Sequence, residues 1–286
     1  MQVYVYSKSG HNFGLENVRR ASAICNMLKD FDPILCTADY RAATFAKSEL
    51  GVNRGVGVDV IGNLPNVMER GDILIYDDSG EASDTMQDHM KKFCTHLYKV
   101  GSEIPFDVVD EVYTTSTDIK YQQAIFFADD DYSEWFLNFC KGSKKHELPL
   151  VLGHYFFLGN DDKLKSSFSE IVEEEEYIDT IKSTKYLLTS SVNSCIESLA
   201  SGNHPVFFKR EDKERIETLD LLEKYSIPVI KGDNLNQLVD SFDEVIKNYP
   251  NNQKSFNNFN ISDIKNEIGE TLKKFEMIQP SLEYKF

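Results

Sequence analysis

The sequence predicts an α/β protein made of two Rossmann-like, doubly wound domains facing a central cleft. Three observations carry that reading. Short apolar runs alternate with segments of helical periodicity along nearly the whole chain, which implies parallel sheets with helices on both faces. A chain of 286 residues is long for one core and comfortable for two such domains. A polar run, Lys141-Gly142-Ser143-Lys144-Lys145-His146-Glu147, interrupts the apolar pattern near the middle. The expected division is a first domain over residues 1–140, a second over residues 146–260, and a closing helix from residue 261.

Residues 2–6 open with a strand (Val3, Val5), and Ser7 to Gly14 form the first loop. Residues 15–28 read as a helix with Val18, Ala21, Ile24, Cys25 and Leu28 inward. Residues 34–37 suggest a strand, 40–50 a helix and 56–61 a third strand, followed by a turn and short helix to residue 70. The run Asp72-Ile73-Leu74-Ile75-Tyr76 is a buried strand ending in Asp77-Asp78-Ser79-Gly80-Glu81. A helix over residues 85–94 and strands over 96–100 and 111–114 follow. The apolar run over residues 124–127, with the residues to Asp131, reads as a connector between the domains, and Asp129-Asp130-Asp131 as an exposed cap for a helix over residues 132–140. The three aspartates lack the alternating spacing of a calcium loop, and no metal site is expected.

Residues 148–158 read as a fully buried strand in which His154 is a hydrogen-bonded core residue. Gly159 and Asn160 close it, and a strand end over residues 168–172 precedes an acid-rich helix start at Glu173 to Glu176. The next stretch, from Tyr186 to Arg210, organises the rest. An apolar strand ends in Thr189-Ser190-Ser191, and a helix with Val192, Ile196 and Leu199 on one face follows. Gly202 stops the helix, and Pro205-Val206-Phe207-Phe208 begins another strand. The chain closes with a helix over 213–225, a strand over 227–230, a helix over 235–249, an asparagine-rich loop, and an amphipathic helix over 261–277.

Composition narrows the function. Lysine plus arginine number 31 against 47 acids, a net charge of −16, which disfavours nucleic acid polymers and anionic lipid as partners. No run approaches the ~18 apolar residues of a membrane span, and the N-terminus enters a strand where a secretory signal would need a basic and then an apolar region. Five scattered cysteines without metal spacing read as free thiols in a reducing cytoplasm.

The Ser190-Ser191 turn stands where a helix N-terminus exposes unpaired N–H groups, a setting that suits a phosphate. Asn193 lies in the first turn beside it, and Glu197, one and a half turns along, could bond a ribose diol. Lys209 or Arg210, after the next strand, could pair with a diphosphate. This stretch resembles the nucleotide-sugar signature of GT-B glycosyltransferases, a Ser/Gly-rich turn followed by E-x-x-x-x-G-x-P. Here it stands as Ser190-Ser191, Glu197, Gly202 and Pro205, with Asn203-His204 where one residue is usual. The short UDP-sugar hydrolases of pseudaminic acid biosynthesis carry the same pattern.

The resemblance implies a nucleotide-sugar donor, UDP-linked by family default, and no cofactor. It also implies a first loop facing the cleft with G-x-G-H-x-x-R. Gly14 and Arg19 or Arg20 could take the glycine and arginine places, but Leu15 or Glu16 stands where the histidine belongs. His11 lies three residues before Gly14 in the loop that also holds Gly10 and Asn12, and it is the first candidate base. Asp78 and Glu81, at the carboxyl end of a strand, are the second. The leading function is metal-independent sugar transfer to an acceptor. The alternatives are hydrolysis of the same donor and a non-catalytic nucleotide-binding or scaffold protein.

Overall fold

In the first sheet, valines and tyrosines alternate through β1 (Val3–Ser7), and all five of its residues are buried. Its parallel neighbours are β2 (Ile34–Thr37) on one side and β4 (Ile73–Asp77) on the other, with Val3 opposite Ile73 and Ser7 opposite Asp77. Adding β3 (Arg54–Gly57) and β5 (His96–Lys99) gives the order β3-β2-β1-β4-β5, parallel throughout. Three helices make the crossovers: α1 (Glu16–Met27), α2 (Tyr40–Glu49) and α3 (Asp84–Phe93). Asp39 caps α2 by accepting from the Ala42 N–H at 3.0 Å. Ser83 caps α3 through the Met86 N–H at 3.4 Å. The computed structural model describes residues 1–157, 159–213, 218–250 and 255–278.

The second sheet contains β6 (Tyr121–Phe126), β7 (Leu150–Val151), β8 (Ile171–Val172), β9 (Thr184–Thr189), β10 (His204–Phe208) and β11 (Val229–Ile230) in the order β11-β10-β9-β6-β7-β8. All its pairings are parallel. Its helices are α4 (Trp135–Phe139), α5 (Asn160–Leu164), α6 (Tyr177–Ser183), α7 (Val192–Ala200), α8 (Asp220–Lys224) and α9 (Leu235–Lys247). Leu235, Leu238, Val239 and Phe242 of α9 pack with Phe127, Phe136, Phe168 and Phe208 in one core. The last helix, α10 (Ser262–Ile278), docks on the first sheet's side of the chain, where the Tyr98 hydroxyl donates to Glu267 at 2.7 Å and Ile268 is fully buried. Among the described residues, no helix is long and apolar enough to cross a membrane.

The chain divides into one unit of Met1–Ser9, Asn17–Val108 and the segment from Phe259, and another of Gly10–Glu16 and Val109–Asn258. The break therefore falls earlier than the expected 140–146. β6 pairs with β9 from Tyr121 opposite Thr184 to Phe126 opposite Thr189, so residues 121–140 belong to the second sheet. The polar run from Lys141 is a turn between α4 and β7: polarity there marks a surface, which a domain boundary and a loop share.

Several elements differ from expectation for local reasons. Residues 111–114 form a 3-10 turn because the Asp110 carboxylate accepts the Val112 N–H at 2.9 Å and starts a helical turn. The apolar run from residue 148 leaves the sheet after Val151. At Gly153 the backbone presses so close to the preceding strand's loop that a Cβ would lie 2.2 Å from the Ala128 carbonyl oxygen. The third strand covers Arg54–Gly57, and Ile61–Asn66 is a 3-10 segment. The expected ends at residue 158, in the helix from 213 and in the asparagine-rich loop fall partly outside the described residues.

Candidate functional site

Read along the chain, the second sheet runs third, second, first, fourth, fifth, sixth strand, the order of dinucleotide-binding domains. Its direction reverses between β6 and β9, and ligands of open α/β sheets bind beyond the strand ends at such a reversal. Two loops meet there, Phe127–Asp131 after β6 and Thr189–Ser191 after β9. The Ser190 N–H donates to the Phe127 carbonyl at 3.0 Å, and its hydroxyl donates to the same oxygen.

Ser191 is the N-cap of α7, its hydroxyl accepting the Ser194 N–H at 3.1 Å. Behind it lies a closed polar chain. The Ser191 and Ser194 hydroxyls are 2.8 Å apart, and Ser194 lies 2.6 Å from the Tyr177 hydroxyl. Tyr177 donates to Glu197 Oε2 at 2.5 Å, and the Asn193 amide donates to Oε1 at 2.7 Å. Glu197 is only 2% exposed. The structure thus brings Ser190, Ser191, Asn193 and Glu197 together, but it turns their side chains inward onto protein partners. Tyr177, from α6, is the member that sequence reasoning missed; no motif links it to residues seventeen or twenty positions later.

The part of the first loop from Gly10 onward belongs to the same unit. Gly10 (φ 127°) and Gly14 (φ 70°) close a tight turn in which the Phe13 and Gly14 N–H groups donate to the Gly10 carbonyl at 2.9 and 2.8 Å. The Leu15 N–H donates to Asp129 Oδ2 at 3.1 Å, fixing this loop to the end of β6. Asn12 accepts the Lys213 ammonium at its carbonyl at 2.9 Å, and Lys213 also pairs with Asp130. The His11 ring lies 4.3 Å from that of Tyr132 and 5.1 Å from that of Tyr155.

Arg210 is buried, held by Asp130 at 2.9 Å and Asp212 at 2.5 Å, with its guanidinium 4.3 Å from the centre of the Phe127 ring. Lys209 next to it is exposed. The expected exposed cap at Asp129 to Asp131 is corrected by the burial of Asp129 and Asp131: Asp131 is 1% exposed and accepts the Phe136 N–H at 2.8 Å. Burial pushes its carboxyl up to about 6, against the pull of the Phe136 N–H and of Arg210. Their position directly behind the apolar strand at 124–127 was the available signal for a role at the sheet edge.

Asp78 and Glu81 lie in the other unit, at the reversal between β1 and β4. Asp78 is buried and accepts the Gly80 and Ala82 N–H groups at 3.2 and 2.6 Å, which makes it the pivot of the turn. Glu81 is partly open, accepting the Tyr6 hydroxyl at 3.0 Å and pairing with Lys8 at 3.1 Å. Beneath them, Arg20 and Asp77 form a buried ion pair at 2.7 Å. Burial raises the Asp77 carboxyl despite Arg20. Among the described residues no group of three or more His, Cys, Asp or Glu is placed to hold a metal ion.

Two parallel doubly wound sheets, each with ionisable residues gathered at its reversal point, define a two-unit Rossmann-like α/β protein. In structure the chain is similar to a GT-B glycosyltransferase, the E. coli heptosyltransferase WaaC. With the form bound to ADP-2-deoxy-2-fluoro heptose, the TM-score is 0.45 at 10% identity, covering 87% of this chain and 100% of that one. With the ADP-bound form it is 0.42 at 9% identity, covering 86% and 98%. The ADP and the fluoroheptose are ligands of that enzyme. No family model and no curated protein matches this chain in sequence.

Proposed function

We propose that the chain is a glycosyltransferase-type enzyme that moves a sugar from a nucleotide-diphosphate donor to an acceptor hydroxyl without a metal ion. The observation that carries this reading is the hydroxyl-rich turn Thr189-Ser190-Ser191, which opens α7 at the reversal of the second sheet. The diphosphate would rest on the first-turn N–H groups of α7. Lys209, exposed at the end of β10, would stabilise the leaving-group charge, and Arg210, already neutralised by two carboxylates, would act on it at longer range. His11 would take the acceptor proton as the new bond to the anomeric carbon forms and the bond to the phosphate oxygen breaks. Of the two acids named in the first unit, Asp78 is held by its own turn and Glu81 is the more open.

A second reading, a nucleotide-binding protein without turnover, is favoured by one observation. The side chains of Ser190, Ser191 and Glu197 already have hydrogen-bond partners within the protein. In either reading the ribose contact of Glu197 requires the Tyr177 hydroxyl to yield its place.

One experiment orders the readings. A thermal-shift series with UDP, ADP, GDP, CMP and their sugars detects binding, since a ligand at a hundred times its dissociation constant adds about 2.7 kcal/mol. Nucleoside diphosphate release is then followed with and without acceptor sugars. Acceptor-dependent release that falls by about 10²–10⁴ in His11→Ala supports transfer. Free sugar without acceptor assigns hydrolysis with the UDP-type donor, and stabilisation with no release assigns the non-catalytic reading. No shift with any nucleotide ends all three.

A further inference from the structure

Asp129, Asp130 and Asp131 follow β6 in a row, and each side chain holds a different part of the second unit. Asp131 accepts the Phe136 N–H in the first turn of α4. The other two converge on the loop that carries His11.

Asp129 is buried and uses both carboxylate oxygens. Oδ2 accepts the Leu15 N–H at 3.1 Å and Oδ1 the His154 N–H at 3.4 Å, while its own carbonyl accepts the Tyr155 N–H at 2.9 Å. An ionised carboxylate offers acceptors alone, so it suits a place where two N–H groups arrive from different segments. Gly14 lets the loop come this close: a Cβ there would lie 3.2 Å from the Asp129 Cβ.

Asp130 reaches the same loop through a lysine. Its Oδ1 pairs with Arg210 at 2.9 Å and its Oδ2 with Lys213. Arg210 is a fixed post, buried, with its planar fork shared between Asp130 and Asp212 and packed near the Phe127 ring. Lys213 then donates to the Asn12 carbonyl at 2.9 Å, one residue past His11. The loop is thus pinned at Asn12 through Lys213 and at Leu15 by Asp129.

The same anchors place what the His11 ring touches. Tyr155, whose N–H is tied to Asp129, lies 5.1 Å from it between ring centres, and Tyr132, directly behind the aspartates, lies 4.3 Å away. His11 is exposed, and an exposed imidazole has several staggered rotamers open to it unless its backbone and ring faces are held.

The geometry points to Asp129 and Lys213 as the positioning residues of His11, pinning its loop so that the imidazole stays against Tyr132 and Tyr155. This assignment rests on the reading of His11 as the base for the acceptor proton. A base works only within hydrogen-bond reach of the proton it takes, and a misplacement of about 1 Å can lower the rate about 10²-fold.

The test compares Asp129→Asn, Lys213→Met and Lys213→Arg in the full chain. Asparagine replaces one acceptor oxygen by a donor, and methionine keeps a long stem without the ammonium. The sequence has six histidines, and the ring Cε1–H signal that disappears in His11→Ala reports on this one through the shift that the two tyrosine rings impose. That signal should move toward the position of a free histidine in Asp129→Asn and Lys213→Met and stay in place in Lys213→Arg. Acceptor-dependent release of nucleoside diphosphate should lose about 10²-fold in kcat in Asp129→Asn and about tenfold in Lys213→Met, at an unchanged donor KM. Lys213→Arg should restore it. Lys213 is only partly buried, so its variants decide the matter even where Asp129→Asn does not fold. A His11 signal unmoved in Lys213→Met overturns the proposal, and so does a loss carried by donor KM with kcat intact. If the parent chain releases no nucleoside diphosphate, the sugar-transfer reading fails, and the ring signal alone decides whether these residues place His11.

Discussion

Glu197 sits at the meeting point of two donors, and its fate on mutation separates a structural from a ligand role. Its oxygens accept from Tyr177 and Asn193 inside the protein, so Glu197→Ala removes the acceptor that both donors share. The expected loss is about 1.5–3 kcal/mol of stability, measured by urea unfolding without nucleotide. Glu197→Gln keeps an acceptor for Tyr177 and should cost much less. If Ala costs nothing, the polar chain behind α7 does not stabilise the fold. Nucleotide affinity discriminates further. A carboxylate that grips ribose should retain its affinity in Tyr177→Phe and lose it in Glu197→Gln, whereas a strut should show the reverse order.

Asp131 makes the stability of the fold depend on pH. Its carboxyl titrates at about 6 in the folded chain against the usual 3.8. The folded state therefore holds the proton more tightly, and stability falls as pH rises from about 4 through 6, by about 3 kcal/mol at most. Asp131→Asn retains an acceptor for the Phe136 N–H and carries no charge. Its melting temperature relative to the parent should rise between pH 4.5 and pH 7.5. A difference that stays constant with pH would mean that Asp131 is ionised in the fold throughout.

The stretch from Tyr186 to Phe208 was legible because each signal was local. An apolar strand, a serine cap, a helical stripe and a stop glycine follow one another without help from distant residues, and β9, α7 and β10 form there. Ser191→Ala should accordingly cost about 1 kcal/mol, read from denaturant midpoints; a neutral result would mean that Ser194 finds another acceptor. What stayed illegible was long-range. The sheet assignment of β6 rests on a partner about sixty residues away, and the aspartates behind it are buried because the first loop and Arg210 close over them. Sequence periodicity carries no record of such closures. It also failed in the aromatic run after Leu148, where apolar character suggested a strand and backbone crowding at Gly153 forbade one.

The whole molecule is discontinuous in sequence: the first unit is assembled from three segments and the second from two. The Asn258 side chain clasps the Val109 backbone, donating to its carbonyl at 2.8 Å and accepting its N–H at 3.3 Å, beside the points where the chain passes from one unit to the other. The first unit is complete only when α10 is in place. Ile261, Ile264 and Ile268 are buried there, His96 lies 2.7 Å from the Thr271 hydroxyl, and Lys265 pairs with Asp30 at 2.5 Å. Fully burying one such isoleucine is worth about 1.5–3 kcal/mol, so a chain stopped after Asn258, which loses three, gives up roughly 4.5–9 kcal/mol. That is comparable to the whole stability of an ordinary domain, about 5–15 kcal/mol. In the truncated chain, amide exchange at β1 and β4 should approach the unfolded rate, while β6 and β9, whose pairing needs nothing beyond residue 189, keep their protection. Equal loss of protection in both sheets would show that the two units fold as one cooperative system, and retention in both would show that α10 is an ornament of the first.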